Sequence, residues 1–127
     1  MREIIFRGKH TDTGEWVYGD LIHRILWDKS LIIIRTYDYS FDTYKDYDVI
    51  PESVGQFTGL CDKNGVKIFE GDIINIDYSE TVVEDAVIEY VGTSFYGSND
   101  YDDWELDEYC QLEIIGNIHD NLKLIER

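Results

Sequence analysis

Short runs in which apolar and polar side chains alternate recur along almost the whole chain, and most of them end in a polar or glycine-bearing turn. Successive side chains of an extended strand point to opposite faces, so this period of two selects half-buried β-strands and leaves little room for helix. Glu3 to Arg7, Trp16 to Leu26 and Ser30 to Tyr39 read as the first strands, rich in Ile, Val, Tyr and Trp and joined by polar turns. They predict an N-terminal β-meander. The third ends with Tyr37, Tyr39 and Phe41 on one face and Asp38, Ser40 and Asp42 on the other, which marks the aromatic face as core or partner surface.

The single proline, Pro51, separates this half from a second one, with a soft boundary near residues 50–56 inside one domain, 1–52 and 53–127 being its halves. Gln56 to Leu60 and Val66 to Phe69 flank Cys61-Asp62-Lys63-Asn64-Gly65, where Asn-Gly supplies positive φ values for a hairpin turn. Past the bend at Gly71-Asp72, Ile74, Ile76 and Tyr78 share a core face. Ala86, Ile88 and Tyr90 do the same in Val82 to Val91, with Asp85, Val87 and Glu89 outward, and Cys110, Leu112 and Ile114 follow in a later strand. Strands of this length and spacing suggest a small barrel. Only Ser98 to Glu108 and Asp120 to Glu126, with Asp120 as N-cap, carry a helical expectation.

A chain of 127 residues fits one ordinary domain of about 100–200 residues, with enough apolar content to fold without metal or disulfide. Cys61 and Cys110 match neither a CxxC motif nor a secreted disulfide scaffold and read as reduced thiols. The N-terminus turns polar at once and the longest apolar run is Leu31-Ile32-Ile33-Ile34, so neither a signal core nor a membrane span is expected and the cytoplasm is the expected location.

The net charge is −16, and its distribution is uneven: residues 1–67 hold 9 basic and 11 acidic residues, whereas residues 68–122 hold 15 acidic residues and no Lys or Arg. Such a balance is opposite to a phosphate-binding footprint, so nucleic acid is not an expected direct ligand. Tyr37, Tyr39, Phe41, Tyr44 and Tyr47 offer stacking surfaces, yet the aspartates among them repel a phosphate backbone. The densest acidic stretch, Asp100, Tyr101, Asp102, Asp103, Trp104, Glu105, Asp107 and Glu108, interleaves carboxylates with aromatics. Such a run reads either as a solvated loop or short acidic helix that keeps the chain soluble, or, because solvating tails usually lack large aromatics and partner surfaces are enriched in them, as the candidate interaction surface.

Motifs with strong chemical content are missing from the sequence: no phosphate-binding loop, dinucleotide fingerprint, nucleophile elbow or paired-histidine zinc motif is present. His10, His23 and His119 lie far apart, with no second ligand at zinc spacing. Counted from Asp100 as a calcium loop, position 6 is Glu105 instead of glycine and position 12 is Gln111 instead of glutamate. No catalytic residue, cofactor or metal is therefore expected.

Several segments together resemble the YopX family of small proteins encoded by phages and prophages of bacteria. The similarity runs through Glu3–Lys9, Thr13–Gly19 and Val49–Leu60, is most specific in Asp62–Ile74, and closes with Leu112–Asn121. Relatives often place Pro after the closing Asn, where this chain has Leu122. The resemblance implies a single mainly β domain with an SH3-like barrel in the C-terminal half, and implies no catalytic residue or cofactor. The signature positions read physically as turns and a bulge around Gly116; alternatively Glu70, Asp72 and Asn117 converge as a polar site. The expected function is that of a non-enzymatic phage accessory protein, acting on a basic protein partner through the acidic segment 68–122, with no membrane role and with a homodimer formed through the less charged N-terminal half. Imitation of DNA charge to occupy a basic DNA-binding protein, or a weak ligand-dependent activity at the barrel end, are the alternatives.

Overall fold

The computed structural model describes residues 3–106 and 111–126, and it divides into two compact units, 1–57 and 58–127. In the first unit β1 (Phe6–Lys9), β2 (Trp16–Ile25), β3 (Ser30–Asp38) and β4 (Thr43–Asp48) form an antiparallel sheet in the order β4-β3-β2-β1. The opening residues of β5 (Gly55–Cys61) extend it through Phe6↔Gln56 and Arg7↔Gly55. Pairing each strand with its sequence neighbour is the meander expected from alternation and short turns. A 3-10 turn at Pro51–Ser53 precedes β5, and the Ser53 hydroxyl anchors it by donating to the Ile50 carbonyl at 2.6 Å.

Ion pairs satisfy much of the charge in this sheet. Arg35 makes two parallel bonds to Asp46, at 2.7 and 3.0 Å, and Lys45 lies 3.0 Å from Asp38. The Arg7 guanidinium is buried 4.4 Å from the centre of the Trp16 ring, an arrangement in which the ring quadrupole attracts the cation. The alternating aromatics end differently from expectation: β3 stops at Asp38, Tyr37 is half-buried, and Tyr39 and Phe41 project into solvent beyond the strand.

In the second unit the end of β5 pairs with β6 (Lys67–Phe69), and a five-stranded antiparallel sheet follows. It comprises β7 (Asp72–Asp77), β8 (Val82–Val91), β9 (Ser94–Ser98), β10 (Asp103–Glu105) and β11 (Gln111–Asn117), in the order β10-β9-β8-β7-β11. The mainly β architecture agrees with the sequence. Among the described residues, however, the sheet keeps two edges, β10 and β11, and is not a closed barrel. Its core consists of Ile68, Ile74, Ile76, Val83, Ala86, Ile88 and Leu112, with Leu60, Tyr78, Phe95, Trp104, Leu106 and Ile114 packed against them.

The β5–β6 turn covers part of the β11 edge. Lys63 N–H donates to the Leu112 carbonyl at 2.8 Å, and the Lys63 ammonium pairs with Glu113. Of the Asn64-Gly65 pair only Gly65 takes positive φ, at 82°, so the turn differs from one in which both residues are left-handed. Asp62 makes that possible. One of its carboxylate oxygens accepts from the N–H groups of Asn64 and Val66 at 2.9 and 3.0 Å, and the other from Ile114 N–H at 3.3 Å. Burial works to raise the pKa of this carboxyl, but the three backbone donors and the nearby Lys63 charge hold it below the ordinary aspartate value.

Both helical expectations are corrected. Residues 98–106 turn back as the β9–β10 hairpin, because Trp104 and Leu106 follow the two-residue period and pack on the core. The C-terminal segment holds only a 3-10 turn at Leu122–Leu124, with Asn121 and not Asp120 at its N-cap position and no side-chain cap bond there. The Asn121 side chain is engaged elsewhere, accepting from Asn117 N–H at 3.1 Å.

An acidic cleft as candidate functional site

The outward face of β8 is re-aimed by a bulge. Ile76 pairs with Val83 and Ile74 with Ala86, so β8 spends one residue more than β7 across this interval. Asp85 absorbs the excess at φ 56° and donates its N–H to the Asn75 side chain at 3.1 Å. The bulge reverses the alternation upstream, which buries Val83 and leaves Asp85, Val87 and Glu89 on the outer side. At the far end of the strand Tyr90, expected in the core, is 54% exposed and rests edge-on against Phe95.

Opposite this row lies the β9–β10 turn, whose conformation is set by Asn99. Its side-chain oxygen accepts from Tyr101 and Asp102 N–H at 2.8 and 3.0 Å, while its own N–H donates to the Asp102 carbonyl. Buried Ser98 donates its hydroxyl to the Asp103 carboxylate at 2.6 Å. The strand register, Val87↔Ser98 and Glu89↔Tyr96, sets turn and strand side by side. Between them is an open cleft of about 350 Å³ lined by Asp85, Val87, Glu89, Ser98, Asn99, Asp100, Tyr101 and Ile125. Its walls combine three carboxylates with apolar and aromatic surface and, among the described residues, contain no cationic side chain.

The acidic run is thereby divided. Asp100, Tyr101 and Asp102 form the exposed tip, and Tyr101 is 92% exposed. Asp103 is bonded to Ser98, Trp104 packs on the core, and the backbone carbonyl of Glu105 accepts from the Tyr78 hydroxyl at 2.7 Å. Asp107, Glu108 and Cys110 lie outside the described residues. Sequence reasoning placed Asp85, Val87 and Glu89 outward but did not join them to the acidic run, because the strand pairing that does so is non-local.

The alternative polar trio is brought partly together. Asn117 and Asp72 are register partners, and Glu70 stands half-buried two residues before Asp72. Each of the two paired residues has a turn to hold: Asp72 accepts from Phe69 N–H at 2.8 Å, and Asn117 accepts from His119 and Asp120 N–H, both at 2.9 Å. The bulge expected at Gly116 is present between Ile114 and Gly116. A side chain at Gly116 would place its Cβ 2.7 Å from the Asn121 side-chain oxygen, so the glycine admits the asparagine that fastens this turn.

Among the described residues no group of three His, Cys, Asp or Glu side chains is arranged to hold a metal ion. Cys61 is an exposed free thiol. No helix among the described residues is long and apolar enough to cross a membrane.

The YopX protein family profile matches residues 5–126. The chain belongs to the YopX family. Its fold is similar to the crystal structure of protein EF1440 from Enterococcus faecalis, at 28% sequence identity and a TM-score of 0.53, covering 99% of this chain and 100% of that one. No curated protein matches the sequence. The signature segments of this YopX-family chain coincide with its structural fastenings: Asp62 in the β5–β6 turn, Asp72 in the following bend, and Gly116, Asn117 and Asn121 in the closing turn.

Proposed function

We propose that this YopX-family chain is a non-enzymatic accessory protein of a phage or prophage that binds a basic segment of a protein partner in the acidic cleft. The observation that carries the reading is the cleft wall itself: Asp85, Glu89 and Asp100 beside Val87, Tyr101 and Ile125. Carboxylates give charge complementarity and steer encounter, while an exposed tyrosine supplies rigid contact area and a face for a guanidinium. The stretch from residue 68 to 122 holds 15 acidic residues and no Lys or Arg.

Calorimetric titration with a synthetic peptide carrying arginines and one tryptophan tests this. The expected result is binding that weakens as salt rises and is lost in the triple variant Asp85→Asn, Glu89→Gln, Asp100→Asn. Asparagine tolerates the left-handed backbone at position 85, so the variant keeps the bulge. Equal affinity for the variant, or affinity indifferent to salt, would sink the reading.

A further inference from the structure

β2 and β3 extend past the strands that flank them. β1 pairs with β2 only over Trp16–Gly19, and β4 pairs with β3 only from Ile33 onward. The segment from Arg24 to Leu31 is therefore a two-stranded arm, closed by a turn in which Leu26 N–H donates to the Lys29 carbonyl at 2.7 Å. Isolated two-stranded hairpins are marginal in water. This one also carries its apolar residues outward: Trp27 is fully exposed, Ile25 is 78% exposed and Leu26 is 40% exposed. Arg24 and Lys29 flank these three in sequence, with Asp28 between Trp27 and Lys29, and the Arg24 charge helps to lower the pKa of Asp46. The tip thus exposes an apolar surface edged by two cations and one carboxylate.

The chemistry that complements it is present on the same chain. The second unit holds 4 basic and 17 acidic residues, and its cleft places Val87, Tyr101 and Ile125 among the carboxylates of Asp85, Glu89 and Asp100. Apolar surface edged by cations matches apolar surface edged by anions. The net charge of −16 opposes approach to an anionic membrane and to a second copy alike, so what favours the cleft is the local match of charge and apolar surface. We infer that the β2–β3 arm of one copy docks in the acidic cleft of a second copy, with Trp27 as anchor and Arg24 and Lys29 facing the cleft carboxylates. The inference rests on the reading of the cleft as a binder of basic segments, and it names the segment. Such a contact is heterologous: each copy offers two different surfaces, so copies join reciprocally, in a ring or in a row.

Complementation between two defective variants tests it. One variant removes the arm's apolar tip (Ile25→Ser with Trp27→Ala), and the other neutralises the cleft (Asp85→Asn, Glu89→Gln, Asp100→Asn). Four of the five side chains are exposed and Asp85 is half-buried, and unchanged thermal midpoints confirm that both variants fold. In sedimentation velocity the wild type should associate with rising concentration, while each variant alone should associate roughly 30-fold more weakly, the scale of losing one tryptophan anchor. An equimolar mixture should form a one-to-one dimer and nothing larger, because it contains one intact arm and one intact cleft per pair.

A wild type that stays monomeric, or a mixture that stays monomeric, overturns the inference. Association retained by the cleft variant and lost by the arm variant also overturns it, and would mean that arms pair with arms. Titrating the arm variant with the arginine–tryptophan peptide separates the two levels. Peptide binding without complementation removes only the arm as occupant, whereas absence of both removes the cleft as a binding site.

Discussion

At Asp62 one carboxylate holds three backbone N–H groups, two on one oxygen and one on the other. Asp62→Asn turns an amide donor toward one of these N–H groups, so a loss of about 1–3 kcal/mol is expected in urea unfolding at neutral pH. The pH dependence has a definite sign. Because the folded-state pKa is depressed, the contribution is complete once the pH is well above about 4, the ordinary aspartate value at which the unfolded chain titrates, and is lost as the pH falls through the lower folded value. Comparing wild type and Asp62→Asn at pH 7 and pH 3 should show the gap between them narrowing in acid; a constant gap would remove the ionised carboxylate from the explanation. Gly116→Ala addresses the closing turn. The new Cβ meets both the side-chain oxygen and the Cβ of Asn121, at 2.7 and 2.9 Å, so the asparagine must leave its bond to Asn117. A cost of about 1–3 kcal/mol is expected, and a thermal midpoint equal to wild type would contradict this account of the glycine.

Among the elements, strands were legible where alternation was uninterrupted and illegible where a bulge reset it. Ile74 and Ile76 in β7, and Ala86 and Ile88 in β8, were placed in the core by period alone. Val83 was missed and Tyr90 wrongly placed inside, since counting by twos through Asp85 puts the upstream half of β8 on the wrong face and says nothing of where the core ends. The acidic stretch after Ser98 looked helical from its charge pattern, but helix and hairpin differ there in long-range pairing, with Trp104 opposite Gly97 and Asp103 opposite Ser98. Trp27 falls between the second and third expected strands, where alternation assigns a side chain to neither face. The hairpin makes a two-sided prediction. Trp104→Ala should destabilise the fold by about 2–4 kcal/mol through lost packing, whereas Tyr101→Ala should leave stability within about 0.5 kcal/mol and weaken binding of the basic peptide. Chemical denaturation and titration of the two variants check both sides, and a stable Trp104→Ala would mean that the indole belongs to the partner surface after all.

Across the whole molecule, the charge asymmetry was plain in the sequence and its arrangement was not. The first unit carries 7 basic and 10 acidic residues and satisfies several of them internally, as Arg35 does with Asp46. The second unit concentrates its carboxylates and gives some of them structural tasks, as in Asp62, Asp72 and Asp103. What remains outward on β8 and at the β9–β10 tip becomes a concave acidic surface only when the Asp85 bulge and the Asn99-directed turn are both formed. The carboxylates that line the cleft, Asp85, Glu89 and Asp100, therefore fall to recognition, and those bonded within the fold, Asp62, Asp72 and Asp103, to its structure. Backbone amide chemical-shift mapping of the 127-residue chain during titration with the arginine–tryptophan peptide examines that assignment residue by residue. The predicted result is a contiguous set of shifts at Asp85–Glu89, Ser98–Tyr101 and Ile125. Shifts confined to the first unit, or scattered over every exposed carboxylate alike, would contradict it.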